Sequence, residues 1–143
     1  MRYFVTICLL ATISCTGVNK QDRNSLIAEI ENTEAAFSKM AADSGIAKAF
    51  IFFADDSAVL FRANTLYKGI ENITTLVNQQ PNKGVTLEWS PDFIDVASSG
   101  DLGYTYGKFI FSVTDSTGTT STEGMFHTVW KKQADGSWKY VWD

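Results

Sequence analysis

The stretch Thr128-Val-Trp-Lys-Lys-Gln-Ala-Asp-Gly-Ser-Trp-Lys-Tyr-Val-Trp-Asp143 decides the fold. Two runs rich in Val, Trp and Tyr flank Asp135-Gly136. Asp-Gly between strand-forming runs is a strong signal for a two-residue hairpin turn of type I′. Three of the four tryptophans of the chain lie in this stretch. Side chains of that size need a core to be buried in, so the hairpin is predicted to be interior.

Working upstream, two more long strand-like runs appear, Leu102–Thr114 and Thr119–Lys132, joined by the turn Asp115-Ser-Thr-Gly118. A turn at Ser98–Asp101 separates them from a run beginning at Val85. There Val85, Leu87 and Trp89 alternate, Pro91 interrupts, and Phe93, Ile94 and Val96 resume with shifted parity. A proline with a parity shift predicts a bulge or edge bend. Before the loop Pro81–Gly84 the pattern is helical. Ser25–Ala42 carries Leu26, Ile30, Phe37, Met40 and Ala41 on one stripe of period 3.6, with Asn24 or Ser25 as cap and Gly45 as stop. Ile46–Phe53 is a second, shorter helix, ended by Asp55-Asp56-Ser57. Ala58–Phe61 is a short strand, Arg62–Gly69 a loop or hairpin, and Ile70–Asn78 a third helix. Helices first and antiparallel strands afterwards make the class α+β.

The bulk numbers agree with one domain: 143 residues, 45% of them apolar and 13% aromatic. The net charge of −4 and the pI near 4.9 leave no basic face for nucleic acid. Lys131-Lys132 reads as a solvated strand end. Cys8 and Cys15, the two cysteines, precede the predicted domain, which therefore has no disulfide or thiolate metal site. With His127 the single histidine and no EF-hand spacing, no metal and no cofactor is expected.

The first residues read as an address. Arg2 supplies a short basic start, Phe4–Ile13 an apolar run too short to span a bilayer, and Thr12-Ile-Ser-Cys15 is similar to a bacterial lipobox, with Thr12 where Leu is usual. The expectation is a signal peptide over 1–14, lipidation at Cys15, a polar tether over 15–24 and a folded domain over 25–143. The protein is then an exported cell-envelope lipoprotein that meets the membrane only through its anchor. A plain secreted protein cleaved near Ser14 is the other reading.

The turns also imply a register. Pairing Thr114 with Thr119 sets Tyr106 opposite His127 and Tyr104 opposite Val129; pairing Ala97 with Leu102 sets Phe93 opposite Tyr106. Pairing Ala134 with Ser137 sets Val129 opposite Trp142 and Trp130 opposite Val141. One face then carries Phe93, Tyr104, Tyr106, Met125, His127, Val129, Tyr140 and Trp142, with Trp138 on the same side. The other carries Ile94, Val96, Phe109, Phe111, Val113, Phe126, Trp130 and Val141. Both faces are apolar and the helices cover one, so a second copy packing sheet to sheet is predicted on the other.

Glu34-Ala-Ala-Phe37, Ala49-Phe50, Asp55-Asp-Ser-Ala-Val-Leu60 and Gly69-x-x-x-Ile73 resemble the first half of the NTF2-like superfamily, in particular its DUF4440 or SnoaL-like group. Gly100-Asp-Leu-Gly-Tyr-Thr-Tyr-Gly107 and Val129-Trp-Lys-Lys-Gln-Ala-Asp-Gly-Ser-Trp138 resemble its later strands. The resemblance covers 25–143. It implies a cone of three N-terminal helices packed on a curved antiparallel sheet, often dimeric, with a pocket at the open end. Superfamily members include dehydratases, isomerases, cyclases and plain binding domains, so fold does not name the function.

Acid–base chemistry in such a pocket needs a base near the substrate C–H and a donor aimed at the developing oxyanion. His127, Tyr106 and Asp143 are the catalytic candidates, with Asp55 and Asp95 as further acids. Trp89, Tyr104, Tyr106 and His127 are the candidate ligand-binding residues. No G-x-S-x-G, phosphate loop or dinucleotide fingerprint is present. Three readings stand: a non-catalytic module binding a small apolar molecule, an acid–base dehydratase, isomerase or cyclase, and a structural dimerisation domain.

Overall fold

A computed structural model describes residues 22–79 and 83–143. The predicted signal peptide, Cys15 and most of the tether lie outside the described residues. The elements are α1 (Arg23–Ser44), α2 (Ile46–Phe53), β1 (Ala54–Arg62), β2 (Thr65–Lys68), α3 (Ile70–Asn78), β3 (Val85–Val96), β4 (Leu102–Asp115), β5 (Gly118–Lys132) and β6 (Trp138–Trp142). Three helices pack on one face of a curved, unclosed six-stranded sheet of order β2-β1-β6-β5-β4-β3. Every ladder is antiparallel except β1 with β6, which is parallel.

α1 forms where the stripe predicted it, starting slightly earlier. Arg23 and Asn24 belong to the helix and not to the tether, so neither Asn24 nor Ser25 is its cap. Its buried side chains are Leu26, Ile30, Glu34, Phe37 and Ala41, spaced four, four, three and four apart. Gly45, at φ 96°, ends α1 and opens α2 in a conformation that suits a residue without Cβ. α2 passes directly into β1. Asp55–Ser57 is the irregular start of that strand, where the Asp55 carboxylate accepts from the Ser57 amide (2.9 Å) and hydroxyl (2.7 Å). The segment Arg62–Gly69 resolves into a hairpin through Ala63 and Asn64, both at positive φ.

The long strands adopt the expected register. Thr114 faces Thr119, Tyr106 faces His127 and Tyr104 faces Val129. β3 shifts register between Pro91 and Phe93, so Trp89 and Ile94 both point toward the helices. The terminal hairpin corrects the reading. Its loop has three residues, Ala134-Asp-Gly136, closed by the Gln133 amide donating to the Ser137 carbonyl (2.8 Å), with Gly136 at φ 86°. One extra loop residue slips the pairing by one, and a one-residue slip exchanges the faces. Trp130 therefore faces Tyr140 instead of Val141. Trp138 and Tyr140 turn inward with Trp130, leaving the side assigned to His127. A bulge between Trp130 and Val129 then restores the expected Val129–Trp142 pair.

The core lies between the helices and this inner face. Phe37 is its centre: its ring lies 4.9 Å from Phe50 and 4.8 Å from Trp89, both edge to face, and 6.0 Å from Tyr140. Pairs of this geometry contribute about 0.5–1.5 kcal/mol each beyond area burial. β3 and β4 approach so closely that a methyl group on Gly107 would overlap the Ser90 carbonyl and stand 2.8 Å from the Asp92 nitrogen. Both are backbone atoms of the bulge. Gly107→Ala is accordingly expected to cost about 1–3 kcal/mol, read as a lowered urea midpoint with an unchanged slope.

Candidate functional site

Strand parity determines what faces the interior. β1 turns Ala58, Leu60 and then Arg62 inward; β3 turns Leu87 and Trp89 inward; β4 contributes Phe109 and Phe111. With Phe50 of α2 and Val77 of α3, the inward side chains from Leu60 onward on β1 and those of β3 and β4 line a cavity of about 710 Å³ that the described side chains do not fill. It falls in the range of cavities that hold small organic ligands, ~300–1,000 Å³. A second hollow, about 770 Å³, lies at the α1–α2 junction between Ala41 and Phe52. Its polar side chains Ser44, Lys48 and Asn78 are all exposed, so it lacks the buried polar groups that orient a ligand.

Behind the cavity wall stands Glu34. It is 1% exposed. Its carboxylate accepts from Trp89 Nε1 (2.9 Å), Thr105 Oγ1 (2.5 Å) and Trp130 Nε1 (3.0 Å). Burial pushes its pKa up, and the three donors oppose that shift without cancelling it. Trp89 is thus gripped from behind while its ring faces the cavity.

At the β1–β6 end stands a second polar group. Arg62 donates from Nη2 to Asp143 Oδ1 and from Nη1 to the Phe61 carbonyl (2.7 Å), and its guanidinium lies 5.6 Å from the centroid of the Phe50 ring. Thr128 Oγ1 donates to Asp143 Oδ2 (2.7 Å). The Asp143 backbone continues the ladder, its amide bonding Val59 and its carbonyl accepting from Phe61. The nearby Tyr140 hydroxyl donates to the Phe50 carbonyl (2.9 Å), and burial pushes its pKa up, so it stays protonated as a structural donor.

The residues named from sequence separate. Trp89 and Asp143 line the cavity, and His127 borders it. Tyr104, Tyr106 and the His127 ring stand on the outer face of the sheet with Phe93. There Phe93 stacks on Tyr106 at 5.1 Å, and Tyr104 lies 6.0 Å from His127. Their partners in parity, Thr105 and Thr128, are the residues that face inward. Asp55 is held by Ser57 and Gln133, and Asp95 by Arg23 (2.6 Å), both away from the cavity lining; these partners keep both carboxyls below the usual range. Among the described residues, no group of three or more His, Cys, Asp or Glu is placed to hold a metal ion.

Glu34 and Arg62 were not among the candidates. Both had a signal. Glu34 completes the apolar stripe of α1 between Ile30 and Phe37, and a carboxylate on a buried stripe has to find donors. Arg62 continues the inward alternation of Ala58 and Leu60 one step past the predicted end of the strand.

No protein-family model matches the chain, and no curated protein matches it. Solved structures do. An NTF2-like protein with a cystatin-like fold from Novosphingobium aromaticivorans superposes with a TM-score of 0.66 at 20% identity, covering 80% of this chain and 77% of that one. A ketosteroid isomerase-like protein from Erwinia carotovora atroseptica gives 0.68 at 20% identity, covering 83% and 93%. The association domain of C. elegans CaMKII gives 0.66 at 15% identity, covering 84% and 94%. The chain therefore has the α+β NTF2-like cone fold. At these identities the likeness is one of fold.

Removing the Glu34 acceptor takes the partner from the Trp89 N–H and leaves the Trp130 N–H only its longer bond to Thr105 Oγ1 (3.3 Å). Glu34→Ala is expected to cost about 3 kcal/mol and Glu34→Gln about 1–2 kcal/mol, the amide returning one acceptor but turning an N–H toward Trp89. The folded Glu34 binds its proton above the ordinary value near 4.5. Its contribution to stability is complete below that pH and declines as pH rises through the raised folded value. Urea titrations across that window should therefore show the gap between wild type and Glu34→Gln narrowing as pH rises; a widening gap would mean that the donors outweigh burial.

Proposed function

We propose that this chain is an envelope-tethered member of the NTF2-like superfamily that binds a small, largely apolar molecule in its cavity without transforming it. The observation that carries this reading is the unfilled cavity, walled by Phe, Leu and Trp side chains, with Glu34 behind Trp89, Arg62 and Asp143 at one end and His127 at its border as the described polar side chains.

Acid–base catalysis has less support. The oxyanion-donor candidate Tyr106 and the imidazole of His127 are on the outer face. Each carboxylate oxygen of Asp143 already accepts one bond and its side chain is 8% exposed, and Glu34 is closed off behind Trp89. A base has to reach the substrate proton. A ketosteroid isomerase-like protein shares the fold; the acid–base reading rests on that likeness, whereas the binding reading rests on the cavity of this chain.

In the same reading the protein is a homodimer through the outer sheet face. Phe93, Leu102, Tyr104, Tyr106, Ile110 and Met125 are all exposed there, Met125 at 61%. Phe93, Tyr104 and Tyr106 cluster there, while Lys108 separates them from Ile110, which lies between Glu88 and Glu123. An exposed aromatic cluster of that kind marks an interaction surface. A second copy offers the self-complementary aromatic partner that stacked Phe and Tyr rings accommodate. Cys15 carries the lipid in this reading, which puts the domain at a membrane surface.

Two outcomes are expected. The purified full chain binds the apolar probe 2-naphthamide with quenching of tryptophan emission, and Leu87→Trp, which fills the cavity, abolishes binding while far-ultraviolet circular dichroism is unchanged. Sedimentation at micromolar concentration gives a dimer, and Tyr104→Glu with Tyr106→Glu gives a monomer that retains probe binding. Failure of wild type to bind the probe refutes the cavity reading; a monomeric wild type refutes the interface.

A further inference from the structure

The cavity is apolar over most of its wall, so the polar group at its β1–β6 end determines which molecules it prefers. Arg62 is the only Lys or Arg on the described lining. It and Asp143 form an unequal pair: the Arg62 side chain is 44% exposed, the Asp143 side chain 8%. The two oxygens of Asp143 are each engaged, one by Arg62 and one by Thr128. The guanidinium keeps more capacity. Of its five N–H groups, one bonds Asp143 and one the Phe61 carbonyl in the described contacts. Arg62 is therefore the more exposed member of the pair on the cavity lining, its guanidinium over Phe50 and three of its five N–H groups outside the described contacts.

We infer that Arg62 is a carboxylate anchor and that the cavity takes an amphipathic acid: an apolar body against Phe50, Leu87 and Trp89, and a terminal carboxylate on the guanidinium. The inference rests on the cavity being the binding site. A neutral carbonyl uses one N–H of the fork. A carboxylate uses two in parallel, and charge assistance makes each bond about twice as strong as a neutral one. Asp143 offsets part of the positive charge of Arg62 but takes only one of its N–H groups; the preference rests on the three N–H groups outside the described contacts, two of which a carboxylate can take in parallel.

The test compares 2-naphthoate with 2-naphthamide, which share the ring system and differ in charge, by fluorescence titration of the full chain. Wild type is expected to bind the acid about tenfold more tightly than the amide, a difference of about 1.4 kcal/mol. Arg62→Gln and Arg62→Lys should each lose that preference, the second because it keeps a charge but not the fork, with binding of the acid weakened more than binding of the amide in both. Equal affinities in wild type, or a preference retained in both variants, overturns the carboxylate anchor and leaves the cavity reading intact. Absence of binding by both probes overturns the cavity reading and the anchor together.

Discussion

Two carboxylates on one helix hold three indoles. Glu34 of α1 accepts the N–H groups of Trp89 and Trp130, and Glu29 of α1 accepts that of Trp138 (2.9 Å) as well as an ammonium bond from Lys132 (2.7 Å). The three tryptophans belong to β3, β5 and β6. A buried indole N–H must have a partner, and these acceptors point at strands far apart in sequence. The helix is therefore pinned to the sheet by directional bonds as well as by apolar packing. Directional bonds specify one docking position where packing alone tolerates several. The depth of the cavity follows from that position, because Trp89 forms its wall and Glu34 stands directly behind.

The hairpin that closes the sheet has a similar all-or-none character. A three-residue loop puts Trp138 and Tyr140 beside Trp130, where each is buried. A two-residue loop would have turned them to the outer face and left Glu29 without its indole. The bulge that follows returns Trp142 to the outer side, where it stacks on Phe61 at 6.2 Å, and brings Asp143 to Arg62. Three residues of loop and one bulge thus decide both the core and the polar end of the cavity.

The sheet serves two surfaces at once. Its inner side combines an apolar cavity with one fork of charge; its outer side is a field of stacked aromatics with His127 at the margin. The two share a border at Met125, His127 and Trp142, which adjoin the cavity from the outer strand positions. A partner on the outer face would lie next to the cavity border, which gives a physical route by which association and ligand binding influence one another.

By itself the sequence determined the local elements. The period of α1, the limits Ile46–Phe53 and Ile70–Asn78, the Pro91 bulge and the β4–β5 register all follow from patterns spanning a few residues, and they emerge as expected. Trp89 and Asp143 were also legible, as a tryptophan on the strand before the bulge and an acid beside the last strand. What only the tertiary structure decided is which face of the sheet the helices cover and which polar groups converge there. A period of two says that residues alternate, but not which set is inside. The loop length that breaks the tie at β6 depends on one residue's backbone conformation. Glu34 and Arg62 meet their hydrogen-bonding side chains because α1 and β1 come together in space with the segments bearing Trp89, Trp130 and Asp143, across separations of 55 to 96 residues. No local pattern encodes contacts of that range, since their geometry exists only once the helix is docked on the sheet.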